Sequence, residues 1–303
     1  MNNFKKLIAI PALALLLCGC GGNAPVSSVE ESTEPSTTYP FPEFDPESYG
    51  GYYKDIGYDD EDTTFMRFNL HQLMVNTHTT YYQYGNMSKY ASQTDMDPDK
   101  PSQLMYFYTS KKTTSYGSRE HVWPCANSNG LWGRDDGKDI GESYVGGGSD
   151  LYHVRPCTNS VNTARQNYRF YEFLEGEEYA TASDGGAYQL RYSADAKKAE
   201  PADEWKGDIA RIVVYLFVHY GSYASSDEKD KYTGTLDLSD VIFRASGESM
   251  QTLYERICRW NRLDPVSEQE KLRNENVFKL QGNRNPFVDY PQLMEKMFNV
   301  NLG

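Results

Sequence analysis

The chain has 303 residues, with 30 Lys and Arg against 43 Asp and Glu and a net charge of −13 at pH 7. That balance excludes tight binding of nucleic acid through a broad basic face, which rests on neutralising phosphates, but leaves a local basic cleft open. Arg119, Arg134, Arg155, Arg165 and Arg169 fall in one central stretch, whereas the acidity collects at 43–62 and 172–204.

In chain order, MNNFKK and the apolar run IAIPALALLL lead into LCGC. This reads as a secretory signal, too short for a membrane span. Leu-Cys-Gly-Cys resembles a bacterial lipobox, which predicts lipidation at Cys20, removal of the preceding residues and a membrane-anchored, extracytoplasmic protein; cleavage of an ordinary secretion signal is the alternative. Residues 21–48 are rich in Ser, Thr, Pro and Glu and poor in aliphatics. Such a segment buries too little apolar surface to offset its ordering entropy and is read as a tether. The remainder, 49–303, is long enough for one domain with a full core. Cys125, Cys157 and Cys258 then remain, an odd number in an oxidising compartment, where one disulfide and one buried thiol is the plain arrangement.

Within the domain, residues 64–76 predict a short amphipathic helix with Phe65, Phe68, Leu73 and Met74 near one face. QLMYFYTS (103–110) predicts a strand, and SREHVWP a second extended piece stopped by Pro124. The Gly-rich stretch 130–150 is a loop. Residues 159–173 read as helical, and 203–221 as a mostly buried helix. SMQTLYERICRWNRLDP and VSEQEKLRNENVFKLQGN predict two further helices separated by Asp-Pro, with Leu253, Ile257 and Trp260 at helical spacing. The sum is an α+β fold, mainly helical around a small β element.

Two octapeptides, HVWPCANS (121–128) and HVRPCTNS (153–160), are near twins. His121, Cys125, His153 and Cys157 are suitable zinc ligands, but nothing local brings the pairs together. Their neighbours differ. Arg119-Glu120 precedes the first twin, and Asn162, Arg165, Gln166 and Arg169 follow the second at spacings that share a helix face. Carboxylate, imidazole, amide and guanidinium together suit a hard cation and phosphate oxygens. Structural readings exist for each: Glu120 paired to an arginine, Asn162 as a helix cap, Arg165 and Arg169 paired with Glu172 and Glu175. His71, His78 and His219 are assigned to structure.

SREHVWP, GSDLYHVRPCTNSVNTARQN, KGDIARIVVYLF and DPVSEQEKLRNENVFKLQGNRNPFVDYP, in that order, resemble the endonuclease I family of secreted or periplasmic bacterial nucleases. The resemblance implies a ββα-metal (His-Me finger) site with Glu120 and Asn162 as metal ligands, His121 as general base, and Arg165 on the substrate phosphate with Asn167 at a matching position. Arg134 matches the family's loop arginine, and Arg119 is a further phosphate candidate. Tyr152 stands where the family commonly has His. The implied cofactor is Mg2+, with Mn2+ or Ca2+ able to substitute. The implied activity is sequence-nonspecific cleavage of DNA or RNA to 5′-phosphate ends by a monomer. A Cys125–Cys157 disulfide would pin the strand of His121 to the helix of Asn162 and contribute about 2–4 kcal/mol, the alternatives being two unpaired buried thiols or a pairing with Cys258. A noncatalytic surface protein that captures nucleic acid or glycan, and a zinc-stabilised structural domain, are the competing classes. Adjacent strand residues face opposite ways, so Glu120 and His121 share a site only where the strand ends or kinks.

Overall fold

The fold is organised around a helix with no polar face. A computed structural model describes residues 41–59, 63–133, 140–221 and 233–303. In it the helix α5, Lys206–Tyr220, buries all of its 15 residues. It packs between α2 (Thr63–Thr77) and α6 (Met250–Leu263), with α7 (Glu268–Gln281), α8 (Pro286–Asp289) and α9 (Leu293–Phe298) closing the bundle. Among the described residues no helix is long and apolar enough to cross a membrane. Arg211 is the most heavily bonded polar group on α5. Arg211 donates to both carboxylate oxygens of Glu270 (2.7 and 2.5 Å), to Asn261 Oδ1 (3.0 Å) and to the Asp264 carbonyl (2.8 Å).

The two predicted C-terminal helices form with the signals the sequence carries. Ser249 caps α6, which buries Leu253, Ile257 and Trp260. Ser267 and Glu270 make a reciprocal capping box at the start of α7, and Gly282 ends it at φ +94°, a left-handed conformation that suits glycine. Helix α2 forms too, with the expected Met74 buried and Leu73 against the core, but its buried stripe is shifted away from the two phenylalanines. Met66, Leu70 and Met74 are fully buried, while Phe65 and Phe68 are 59% and 41% exposed. Both sets keep helical spacing, and packing against α5 and α9 selects the first.

The β structure lies in small sheets. Strands β1 (Met96–Asp97), β2 (Lys100–Met105) and β3 (Lys112–Thr113) form one sheet, and β4 (Ser118–His121) with β5 (Val154–Cys157) an antiparallel ribbon. Strands β6 (Arg169–Phe170), β9 (Lys198–Glu200), β8 (Leu190–Ser193) and β7 (Ala180–Ala182) form another in that spatial order. The strand expected over 103–110 stops at Met105, and the chain then turns through Tyr108 and Ser110 at φ +69° and +55°. The helix expected over 159–173 is also shorter. Helix α4 spans Asn159–Arg165, ends where Gln166 takes φ +52°, and gives way to β6. The aromatic-rich sequence after Tyr168 favours a strand, and its parallel partner β9 is distant in sequence, so local periodicity does not reveal the pairing.

The packed chain begins before the expected boundary at Tyr49. Phe44 stacks on Tyr58 (ring centroids 4.0 Å apart), Tyr290 donates its hydroxyl proton to the Asp45 carbonyl (2.9 Å), and Gln292 donates to the Pro42 carbonyl (2.6 Å). The expected signal peptide, Cys20 and most of the tether lie outside the described residues.

Candidate active site

The twin octapeptides become the two strands of one ribbon. Ser118 pairs with Cys157, Arg119 with Pro156, Glu120 with Arg155 and His121 with Val154. This register corrects the expected disulfide. Cys157 lies opposite the first residue of β4, whereas Cys125 lies four residues beyond its last, so an antiparallel ribbon carries the two apart; both are buried free thiols. The zinc set does not assemble either. Among the described residues, the His, Cys, Asp and Glu side chains close enough to share an ion are His78, Asp150 and His219. These are held by hydrogen bonds: Tyr215 and Tyr220 each donate to Asp150 Oδ2 at 2.7 Å, and His219 bonds His78 at 2.9 Å.

Helix α4 follows β5 directly, with Thr158 as its N-cap, and lies against β4. The Asn162 amide donates through Nδ2 to Ser118 Oγ (2.8 Å) and to the Arg119 carbonyl (3.3 Å). Its nitrogen is thereby turned to the ribbon and its oxygen is left as the presented acceptor. Glu120, His121 and Asn162 line one cavity of about 500 Å3, together with Tyr84, Arg119 and Glu142. Glu120 and His121 are the last two residues of β4, and both line this cavity.

His121 is oriented by backbone. Its Nε2–H donates to the Gly148 carbonyl (2.8 Å), which leaves Nδ1 as the ring's lone-pair nitrogen. Gly147 and Gly148 press against Trp132, where a Cβ on Gly148 would sit 2.8 Å from the Trp132 carbonyl oxygen. The second twin's histidine fastens the same segment. His153 Nδ1 bonds the Gly147 carbonyl (2.7 Å), while its Nε2 lies 3.1 Å from the Trp123 amide and 2.8 Å from the Trp123 carbonyl. Burial lowers the pKa of His121 to about 4, with the Arg119 and Arg165 charges acting the same way against the Gly148 bond. The ring is partly exposed at the cavity yet set deep within it, and it is neutral at pH 7.

Glu120 is short of positive charge. Burial raises its pKa to about 7 despite Arg165 and a hydrogen bond from the Tyr108 hydroxyl (2.6 Å). Arg165 Nε is 3.3 Å from Glu120 Oε1 but is not aligned to donate to it; the guanidinium's hydrogen bonds go to the carbonyls of Val122 (2.7 Å) and Gln166 (3.0 Å). The Tyr108 and Arg165 contacts both fall on Oε1, leaving Oε2 for the cavity.

Arg165 is fully buried over the Phe170 ring, which corrects its expected place on the substrate phosphate: it supports Glu120 and the end of β4 from behind. Arg119 does line the cavity, but its guanidinium is paired with Glu142 (2.7 and 2.9 Å). Arg134 lies outside the described residues. Tyr152, at the departure from the family pattern, is buried and donates to Asn274 Oδ1 (2.6 Å), away from the reacting groups. Sequence reasoning missed Tyr108, Tyr84, Glu142 and the Gly148 carbonyl. None carries a spacing signal, and each reaches the site through a turn or loop.

Within the α+β fold, an imidazole, a buried carboxylate and an amide oxygen thus share one open cavity. The Endonuclease I family profile matches residues 63–292. An extracellular ribonuclease of Bacillus amyloliquefaciens is 34% identical over 257 residues, covering 82% of this chain and 78% of its own. An extracellular ribonuclease of Bacillus subtilis (strain 168) is 32% identical over 244 residues, covering 77% and 74%. An extracellular deoxyribonuclease of Aeromonas hydrophila is 24% identical over 176 residues, covering 56% and 64%. The chain belongs to the endonuclease I family.

Proposed function

We propose that this protein is a metal-dependent, sequence-nonspecific endonuclease that hydrolyses RNA and DNA to 5′-phosphate ends through a His-Me finger site. The observation that carries the reading is the convergence of His121, Glu120 and Asn162 on one cavity, with His121 Nε2 bonded to the Gly148 carbonyl. The donor set fits a hard divalent cation, Mg2+ foremost, with Mn2+ or Ca2+ able to substitute: a carboxylate that lacks compensating charge, and an amide oxygen turned from the ribbon. Glu120 and Asn162 would hold the cation, which when bound supplies positive charge to the phosphate and the departing 3′ oxygen.

The chain's own residues do the rest. His121 Nδ1 takes the proton of the attacking water, and the Gly148 carbonyl holds the ring in the tautomer that can accept it. Arg165 and Tyr108 keep Glu120 in place. The relatives' names include both ribonuclease and deoxyribonuclease, and the two ribonucleases share the greater identity, which supports RNA as a substrate beside DNA. Their extracellular naming supports action outside the cytoplasm. Anchoring through a lipid on Cys20 and a monomeric state complete the proposal.

The test is cleavage of plasmid DNA and of RNA by the chain with Mg2+ or with EDTA, beside His121→Ala. We expect EDTA to abolish cleavage and His121→Ala to lower it by about 10²–10⁴-fold with the fold intact. Undiminished cleavage by His121→Ala would overturn the mechanism.

A further inference from the structure

Arg119 and Glu142 face each other across the mouth of the same cavity. Arg119 Nη1 and Nη2 donate to the two oxygens of Glu142 at 2.9 and 2.7 Å, and the guanidinium lies 4.0 Å over the Tyr84 ring. Tyr84 in turn stacks beside His121, with centroids 5.1 Å apart and planes 23° from parallel. A planar fork held on an aromatic face beside the catalytic ring is suited to a carboxylate and to a phosphodiester alike.

The carboxylate's place is built by backbone. Gly85 N–H donates to the Glu142 carbonyl (2.8 Å) and Tyr84 N–H to the Tyr144 carbonyl (2.9 Å), zipping this segment to the Tyr84 turn. Gly85 leaves room for the carboxylate: a Cβ there would collide with Glu142 Oε2. The pair itself is open to solvent, with the Glu142 side chain 67% exposed, and exposed pairs hold weakly.

We propose that Glu142 occupies, in the free protein, the guanidinium fork that a backbone phosphate of the nucleic acid takes over, and so sets the affinity of this cavity for its substrate. The inference rests on the reading of the cavity as a nucleic-acid site and assigns Glu142 as an affinity-determining residue. A substrate phosphate displaces one carboxylate and keeps Arg119 neutralised. A chain of net charge −13 thus presents no unpaired Arg119 to other anions, and loses part of the phosphate affinity that guanidinium would otherwise contribute.

The experiment measures binding of a short fluorescein-labelled single-stranded RNA by anisotropy in EDTA, across a salt series. The proteins are the wild-type chain, Glu142→Gln, Glu142→Ala, Arg119→Ala and Arg119→Ala/Glu142→Gln. Both Glu142 variants should bind roughly three- to tenfold more tightly at low salt, with a steeper salt dependence, by about 0.7 in the log–log slope. Arg119→Ala should bind more weakly than wild type, and the double variant should bind like Arg119→Ala. Unchanged or weaker binding by the Glu142 variants overturns the inference. So does an equal gain in the Arg119→Ala background, which would trace the effect to general charge. Wild-type cleavage with Mg2+ is scored separately, so loss of the nuclease reading is distinguishable from loss of the exchange.

Discussion

At the scale of single residues, burial decides what the site's charged groups do. Arg165 is fully enclosed, with hydrogen bonds to two carbonyls and Glu120 beside it. Replacing it by Met should leave a buried carboxylate and two carbonyls without their partner, and lower stability by about 3–5 kcal/mol. Urea denaturation checks this; a variant of unchanged stability that fails only in substrate binding would return Arg165 to the phosphate. The cysteines make a second residue-scale prediction. Thiol titration of the denatured, unreduced mature chain should find Cys125, Cys157 and Cys258 all free, and reducing agent should leave stability unchanged.

At the scale of elements, two buried charge clusters, one tying helices to a strand and one joining helices to each other, respond to pH with opposite sign. Asp95, at the end of α3 (Met87–Thr94), accepts from Arg155 of β5 (2.6 Å) and Arg273 of α7 (3.2 Å). Its burial works against ionisation, but the two guanidiniums and Thr94 overcome it and hold the pKa below the usual 3.8. Its contribution is therefore present above 3.8 and lost as pH falls through the lower folded value. Asp95→Asn should cost about 3–5 kcal/mol at pH 7, because two guanidiniums lose their counter-ion.

Around Arg211, the balance reverses. Burial and neighbouring carboxylates raise Asp208 well above its usual range, and burial raises Asp264 to about 6. The folded chain retains protons there that the unfolded chain releases, so stability falls as pH rises from 3.8 through about 6 and beyond. Asp208→Asn should relieve this cost by about 1–2 kcal/mol at pH 8 and by less at pH 5, read from urea midpoints at both.

For the whole molecule, the packed unit includes the segment 41–48, which the sequence reading assigned to the tether. Phe44 packs between Tyr58 and Tyr290, and the carbonyls of Pro42 and Asp45 accept from Gln292 and Tyr290. Truncation to Tyr49 should cost about 1–2 kcal/mol relative to truncation to Phe41, through loss of the Phe44 ring contacts and these hydrogen bonds. Thermal melting of the two truncations beside the untruncated chain checks this. The net charge of −13 acts at this scale too, since it excludes tight binding of a polyanion through a broad basic face.

What the sequence determined by itself is what short-range physics writes: the buried helix α5, the capped helices α6 and α7, the extended piece before Pro124, and the carboxylate, imidazole and amide gathered in motifs at the cavity. Only the tertiary structure decided the rest. Which stripe of α2 is buried depends on the helices it meets, and the β6–β9 pairing joins segments that share no local signal. The antiparallel register of β4 and β5 separated the cysteines, and enclosure turned Arg165 from a phosphate ligand into a support. Glu142 reached Arg119 through a loop of no periodicity. Periodicity and capping act over a few residues, whereas burial, register and charge pairing are properties of neighbours that only folding brings together.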